Sequence, residues 1–169
     1  MSLAPSQVAH AAFTQVFAAF GLILDKAAQS AKSRSIDEAV LLNWRLAPDM
    51  FTMSRQVQIA CDIAARGMAR LAGADMPSFP DTETSFEQLR QRVAKAHAFI
   101  KDLDRAKIDA DLDKDITFPV GPETMTMKRR DYLLNWVLPN VYFHITAAYA
   151  NLRACGVPLG KADFLARQR

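Results

Sequence analysis

The sequence is poor in cysteine. Its 169 residues include only Cys61 and Cys155, which are too few for a disulfide framework. No lysine or arginine precedes the apolar N-terminal stretch at residues 8–24, so we predict no secretion signal. We therefore expect both cysteines to be reduced thiols in a cytoplasmic protein.

The chain also has no large excess of positive or negative charge. Twenty-one lysines and arginines oppose 18 aspartates and glutamates, which gives a net charge of +3. The one tight basic run, Lys128-Arg129-Arg130, has no interleaved aromatic residues and no second basic stripe beside it. We therefore expect no nucleic-acid partner.

We expect no stretch that is long and apolar enough to span a membrane. The most apolar stretch, residues 8–24, is interrupted by His10, Thr14 and Gln15. Its apolar residues recur with the period of a helix that has one buried face. We predict that it belongs to the first helix of a bundle, and we expect no membrane partner.

Half of the residues are hydrophobic and only six are glycine, which is typical of a packed helical protein. The length favours a single domain over residues 1–169. Apolar residues at three- and four-residue steps predict an all-α four-helix bundle with one additional short helix. The predicted helices cover residues 5–31, 50–71, 86–103 and 131–155, with the short helix ending at Leu42.

Local signals predict where the helices begin. Ser35 is positioned to cap the short helix, and Asp49 is positioned to cap helix two. Thr84 and Glu87 have the spacing of a capping box before helix three. Strand-forming residues on both sides of a Gly-Pro turn predict a small β-hairpin at residues 116–127, between helices three and four.

Helix four is the longest periodic segment and contains Pro139. Proline lacks a backbone N–H and clashes with the carbonyl four residues back, so we predict a kink or a widened turn at residues 135–139. Gly156 and Pro158 predict the end of this helix. The remaining tail, residues 157–169, can pack onto the bundle through Phe164 and Leu165.

Five motifs are distributed along the chain: RLAPDM at 45–50, QVQIACD at 56–62, ARLAG at 69–73, DYLLNWVLPNVYFH at 131–144 and LRACGVPLGKADF at 152–164. They resemble the DinB/YfiT-like superfamily, and within it a branch of unknown function. The resemblance covers nearly the whole chain and implies a four-helix bundle that often forms homodimers.

Many members of this superfamily bind a metal through three histidines, one on helix two and an HxxxH pair on helix four. Carried over to this chain, those positions fall on Asp62, Asn140 and His144. Asparagine is a poor ligand for zinc or nickel. We therefore expect no metal cofactor, and the alternative is one weakly bound divalent ion held by His144 and Asp62.

Helix four also predicts a polar ligand pocket. Trp136, Asn140 and His144 follow one another at four-residue steps on one side of the helix, and Asn151 returns to that side two turns later. If helix two lies against this side, Asp62 and Gln58 face it. We expect the buried imidazole and carboxylate to hydrogen-bond to each other or to a bound molecule between them.

Two functions are compatible with these residues. The first is a dimeric small-ligand-binding or interaction protein whose metal site has been eroded. The alternative, which the resemblance implies, is a metal-dependent transferase or isomerase acting on a small thiol or an electrophilic metabolite. The missing histidines favour the first.

Overall fold

The computed structural model describes residues 3–167, and their secondary structure is mostly helical with one two-stranded hairpin. The predicted all-α bundle with a hairpin is confirmed. The elements are α1 (Pro5–Ser33), α2 (Glu38–Leu42), α3 (Met53–Ala72), α4 (Phe86–Lys101), α5 (Arg105–Asp109), β1 (Asp115–Val120), β2 (Glu123–Lys128), α6 (Arg129–Asp131), a π-helical turn (Tyr132–Val137), α7 (Leu138–Ala154) and α8 (Lys161–Phe164).

The four long helices do not form a simple up-and-down meander. The main packing partners are α1 with α4, α4 with α3, and α3 with α7, and α7 returns to α1. Each helix buries the stripe that its periodicity predicts, as the fully enclosed Phe13, Leu89 and Ile145 illustrate. This order makes α3 and α7 neighbours, so side chains from helices that are distant in sequence can meet.

The widened turn predicted before Pro139 is present. The π-helical turn spans Tyr132–Val137 and passes directly into α7, with Pro139 in its first turn. Phe118 of β1 packs against the rings of Tyr132 at 4.5 Å and Trp136 at 5.2 Å. The hairpin therefore covers the bundle where the turn is widened.

The predicted helix starts are wrong by one to three residues. Asp37, not Ser35, caps α2 by accepting a hydrogen bond from the Ala39 N–H. Thr52, not Asp49, caps α3. At α4 the cap is Ser85, whose hydroxyl accepts from the Gln88 N–H at 3.2 Å, so the predicted Thr84–Glu87 capping box is also wrong. In each case an equally suitable side chain lies nearby, and tertiary packing selects between them.

Helix α1 is a core helix, although it is long and apolar enough to span a membrane, which we expected of no segment. By length and composition, Pro5–Ser33 could cross a membrane, so that expectation is wrong. In the bundle it buries Phe13, Phe17, Phe20 and Leu24, and core helices of soluble proteins pass the same test. In the tail, Phe164 packs edge-on against Tyr149 at 5.8 Å as predicted, whereas Leu165 is 37% exposed. Residues 168–169 lie outside the described part of the chain.

Candidate functional site

His144 on α7 meets the N-terminal part of α3. Its side chain is 9% exposed, and Nδ1 lies 2.6 Å from Oε1 of the buried Gln56. An amide oxygen can only accept a hydrogen bond, so Nδ1 carries the proton. Nε2 of Gln56 donates to the carbonyl of Phe51 at 3.5 Å, which orients the amide. The imidazole is therefore held in one tautomer by a side chain that is itself positioned.

The other ring nitrogen of His144, Nε2, makes no hydrogen bond with residues 3–167. Burial lowers the pKa of His144 below its ordinary value, and the positive charge of Arg55 lowers it further. At neutral pH the imidazole is uncharged, and Nε2 presents a lone pair. The site therefore offers one hydrogen-bond acceptor with no protein partner.

A pH titration checks this charge state. Burial also lowers the pKa values of His10 and His97, so all three histidines bind protons more weakly in the folded chain than in the unfolded one. The free energy of unfolding should therefore be maximal above about pH 6.5 and should fall as the pH drops below it. NMR titration of the ring protons should give His144 a midpoint below 6.5. A midpoint above 7 would contradict the assigned charge state.

Arg55 lies in the first turn of α3, next to Gln56. Its backbone N–H donates to the hydroxyl of Thr52 at 3.3 Å. Its Nη1 donates to Oε1 of Gln58 at 3.2 Å and to the carboxylate of Asp81. The guanidinium is thus fixed beside His144 by one of its nitrogens, while Nε and Nη2 make no hydrogen bond within the described chain.

An ionic cluster links the exposed Arg55 to the buried Arg92 of α4. The side chain of Arg92 is 2% exposed, and it pairs with Asp62 at 2.7 Å, Glu83 at 2.9 Å and Asp81 at 3.0 Å. It also donates to the carbonyl of Pro80 at 3.1 Å. These bonds attach the segment between α3 and α4 to the bundle, and they hold Asp81 in place against Arg55.

One exposed aromatic side chain contacts His144, and two others belong to the segment that leads into α3. The ring of Phe143 packs edge-on against the imidazole, with 5.2 Å between ring centroids, and Phe143 is 60% exposed. Phe51 is 53% exposed, and its carbonyl holds Gln56. Trp44 is also exposed, and its carbonyl accepts from the Met53 N–H at 2.8 Å. The surroundings of the open nitrogen therefore combine polar and apolar surface.

The side chains predicted to surround His144 have other hydrogen-bond partners. Asp62 pairs with Arg92 and, at 3.6 Å, with Arg66, so the direct bond expected between Asp62 and His144 is not formed. The partner of His144 on α3 is Gln56, six residues earlier. Gln58, also a predicted pocket residue, is buried and donates to Glu83 at 2.9 Å.

Asn140 and Trp136 interact with each other within their own helix. Nδ2 of Asn140 donates to the carbonyl of Trp136 at 2.7 Å, where the π-helical turn passes into α7. Trp136 is half-buried against Phe118 of the hairpin. These contacts give both residues a structural role in the widened turn.

Asn151 is fully enclosed, and neither atom of its amide has a hydrogen-bond partner among the described residues. An unpaired buried amide costs about 1–3 kcal/mol. Leucine has the same branched skeleton with methyl groups in place of oxygen and nitrogen. We predict that Asn151→Leu raises the free energy of unfolding by about 1–3 kcal/mol, measured by urea denaturation. A loss of stability would show instead that the amide is hydrogen-bonded in solution.

The residues around His144 do not fit the metal that the superfamily resemblance implies. Asp62 is neutralised by Arg92, and Asn140 bonds a backbone carbonyl. Across residues 3–167, no three side chains of histidine, cysteine, aspartate or glutamate are grouped so that they could hold a metal ion. His144 is therefore the one residue of the expected set that could still ligate a metal ion.

Three residues of the site were not predicted from the sequence: Gln56, Arg55 and Arg92. Gln56 begins the QVQIACD motif, and Arg55 directly precedes it. Their role depends on how far α3 is shifted along α7, which hydrophobic periodicity does not determine. Arg92 had one usable signal, because it interrupts the otherwise apolar stripe of α4 beside Val93.

Comparisons with known proteins agree with this fold. The family model described as "Domain of unknown function (DUF1993)" matches residues 7–165. A crystal structure of a DinB family member protein from Shewanella denitrificans is similar to this chain, with 37% sequence identity and a TM-score of 0.84. That similarity covers 92% of this chain and 88% of the other. No curated protein matches the chain.

Proposed function

This chain belongs to the DUF1993 family and has a DinB-like fold, and from that premise we propose that it binds a small organic ligand at His144 without a metal cofactor. A fold of this kind supports many activities, so the proposal rests on the site. We place the protein in the cytoplasm, where Cys61 and Cys155, both free thiols, would remain reduced.

The observation that carries the proposal is the unpartnered Nε2 of a nine-tenths buried, uncharged histidine. Nε2 itself is reached by solvent, so a ligand can reach it as well. The imidazole is fixed by Gln56 at 2.6 Å, so it is already oriented before a ligand arrives. The exposed ring of Phe143 lies against the imidazole and adds apolar surface of the kind found in ligand sites.

The site does not fit a metal-dependent transferase or isomerase, because a single imidazole is too small a donor set for a catalytic metal. Elemental analysis of protein purified without a chelator or a histidine tag should find well under one equivalent of transition metal. One tightly bound equivalent that is lost in His144→Ala would overturn the metal-free proposal.

A fragment screen monitored by NMR tests the ligand site. With histidine ring carbons labelled, compounds that bind at the site should shift the signals of His144 and leave those of His10 and His97 unchanged. The same compounds should produce no saturable binding to His144→Phe. If no compound in a diverse library moves the His144 signals, the proposed function is wrong.

We also propose that the protein forms a homodimer through the outer faces of α1 and α4. A groove of about 260 Å³ lies between α1 and α4. A larger one of about 700 Å³ lies on the other side of Leu22, between α1 and α8. Leu22 is 44% exposed between them, and a methyl group added at Gly21 would meet open space. Asp25 and Arg90 on this face pair with each other at 3.5 Å, so they need no partner from outside the chain and leave the apolar Leu22 as the contact.

Light scattering at micromolar concentration should therefore give twice the 18.8 kDa mass of one chain. Leu22→Glu should give the monomer mass, because it places a charge in the centre of the interface. Val40→Glu is the matched control, since Val40 is 56% exposed on α2. A monomeric wild-type protein would refute the proposal.

A further inference from the structure

The first turn of α3 has features of an anion-binding site. In the first turn of this 20-residue helix, the Met53 N–H donates to the Trp44 carbonyl and the Arg55 N–H donates to the Thr52 hydroxyl. The Ser54 N–H makes no hydrogen bond within residues 3–167. Helix N-termini favour negative charge because their amides are unpaired and the helix dipole is positive there. A helix start alone is a common feature, so its neighbours decide whether it is a site.

The neighbouring guanidinium presents the edge that carboxylates prefer. Arg55 uses only Nη1 for Asp81 and Gln58, and the Nε–Nη2 edge has no partner in the described chain. This edge can donate two parallel hydrogen bonds to a carboxylate. The bonds from Nη1 also hold the side chain still, so less freedom is lost when a ligand binds. Its side chain is 41% exposed and therefore accessible.

The second, independent feature is His144. Its Nε2 accepts a hydrogen bond but cannot donate one, so it selects a ligand group that carries a proton, such as a hydroxyl or an amine. Gln56, which fixes this imidazole, directly follows Arg55 on α3. The positive charge of Arg55 also acts on this imidazole and lowers its pKa, so the donor edge and the acceptor ring lie near one another. The exposed Phe143 ring lies against the imidazole at 5.2 Å.

From these features we infer the class of the ligand, an inference that rests on the proposed function. The ligand is a small carboxylate with two further groups: a hydroxyl or amino group close to the carboxylate, and an apolar substituent. The carboxylate binds the Nε–Nη2 edge of Arg55 and the start of α3. The hydroxyl or amino group donates to Nε2 of His144. The substituent packs against Phe143.

Three probes that differ by one group each test this inference on the wild-type protein. 3-Phenyllactate has the carboxylate, the hydroxyl and the ring; 3-phenylpropionate lacks the hydroxyl; 3-phenylpropane-1,2-diol lacks the carboxylate. Each is titrated while the His144 ring and Arg55 Nε signals are followed by NMR. We expect 3-phenyllactate to bind at least about tenfold more tightly than either of the other two, because each of them leaves one site group unpaired.

Variants assign the two recognition elements. Arg55→Gln should remove the preference for 3-phenyllactate over the diol, and Arg55→Lys should restore only part of it, since lysine lacks the two-pronged edge. Arg66→Gln is the matched control, because Arg66 is an exposed arginine on the same helix. His144→Phe should remove the preference for 3-phenyllactate over 3-phenylpropionate.

The outcomes separate this inference from the proposed function. Equal binding of all three probes at His144 would overturn the carboxylate class and leave the ligand site standing. The carboxylate class is also overturned, and the ligand site stands, if none of the probes binds while other fragments shift the His144 signals. If no compound of any kind shifts His144, both proposals fall.

Discussion

Replacing Arg92 by methionine is expected to lower the free energy of unfolding by about 3–5 kcal/mol. The guanidinium is 2% exposed and pairs with Asp62, Glu83 and Asp81. Methionine fills a similar volume, so packing is largely kept while the carboxylates lose their shared cation. Asp62 and Asp81 keep Arg66 and Arg55, but Glu83 is 10% exposed and pairs with no other cation in the described chain. Leaving a buried charge uncompensated is much more costly than losing a pair at the surface.

Urea denaturation followed by circular dichroism measures this loss. Arg66→Met is the matched control, because it removes a 43% exposed arginine that contacts Asp62 at 3.6 Å. It should cost only about 0–1 kcal/mol. Equal losses for the two variants would show that the ionic cluster is not buried as described. The Arg92 variant should also loosen Asp81 and, through it, Arg55.

Gly67→Ala is the second substitution with a large expected effect. A Cβ at this position would lie 2.7 Å and 2.9 Å from the two γ-methyl carbons of Val137. Valine has a stiff side chain, and Val137 is fully buried, so it cannot turn away. The clash should cost about 1–3 kcal/mol, which exceeds or cancels the gain of about 1 kcal/mol from replacing a helical glycine by alanine.

A double-mutant cycle isolates this contact. Val137→Ala makes room, so adding Gly67→Ala to it should be neutral or stabilising in thermal or urea unfolding. Gly21→Ala on α1 is the control, because its new methyl group meets no atom within 4 Å. It should stabilise the protein by about 0.5–1 kcal/mol. If Gly67→Ala stabilises the wild-type chain as Gly21→Ala does, α3 and the π-helical turn are further apart than described.

The helices and the hairpin could be predicted because each depends on residues close in sequence. The stripe of α1, the Gly-Pro turn of the hairpin and the proline of α7 all act within a few residues. The cap positions were missed by one to three residues, since Thr52 and Ser85 are as suitable as the side chains beside them. Local chemistry therefore predicts the elements better than their ends.

The candidate site depends on register between helices, which the sequence pattern does not contain. His144 was identified from its position on α7, but its partner was expected at Asp62 and is Gln56. The contact between Gly67 and Val137 places the two helices antiparallel and fixes that offset. Arg92, which takes Asp62 as its partner, comes from α4, a third helix that the periodicity could not orient.

The tautomer of His144 in the free wild-type protein at neutral pH tests the central claim most directly. A long-range proton–nitrogen NMR spectrum of the imidazole distinguishes its two nitrogens. We predict that Nδ1 carries the proton, because it donates to Oε1 of Gln56, and that Nε2 is unprotonated. A proton on Nε2, or a charged ring, would contradict the claim that His144 presents an open acceptor to a ligand.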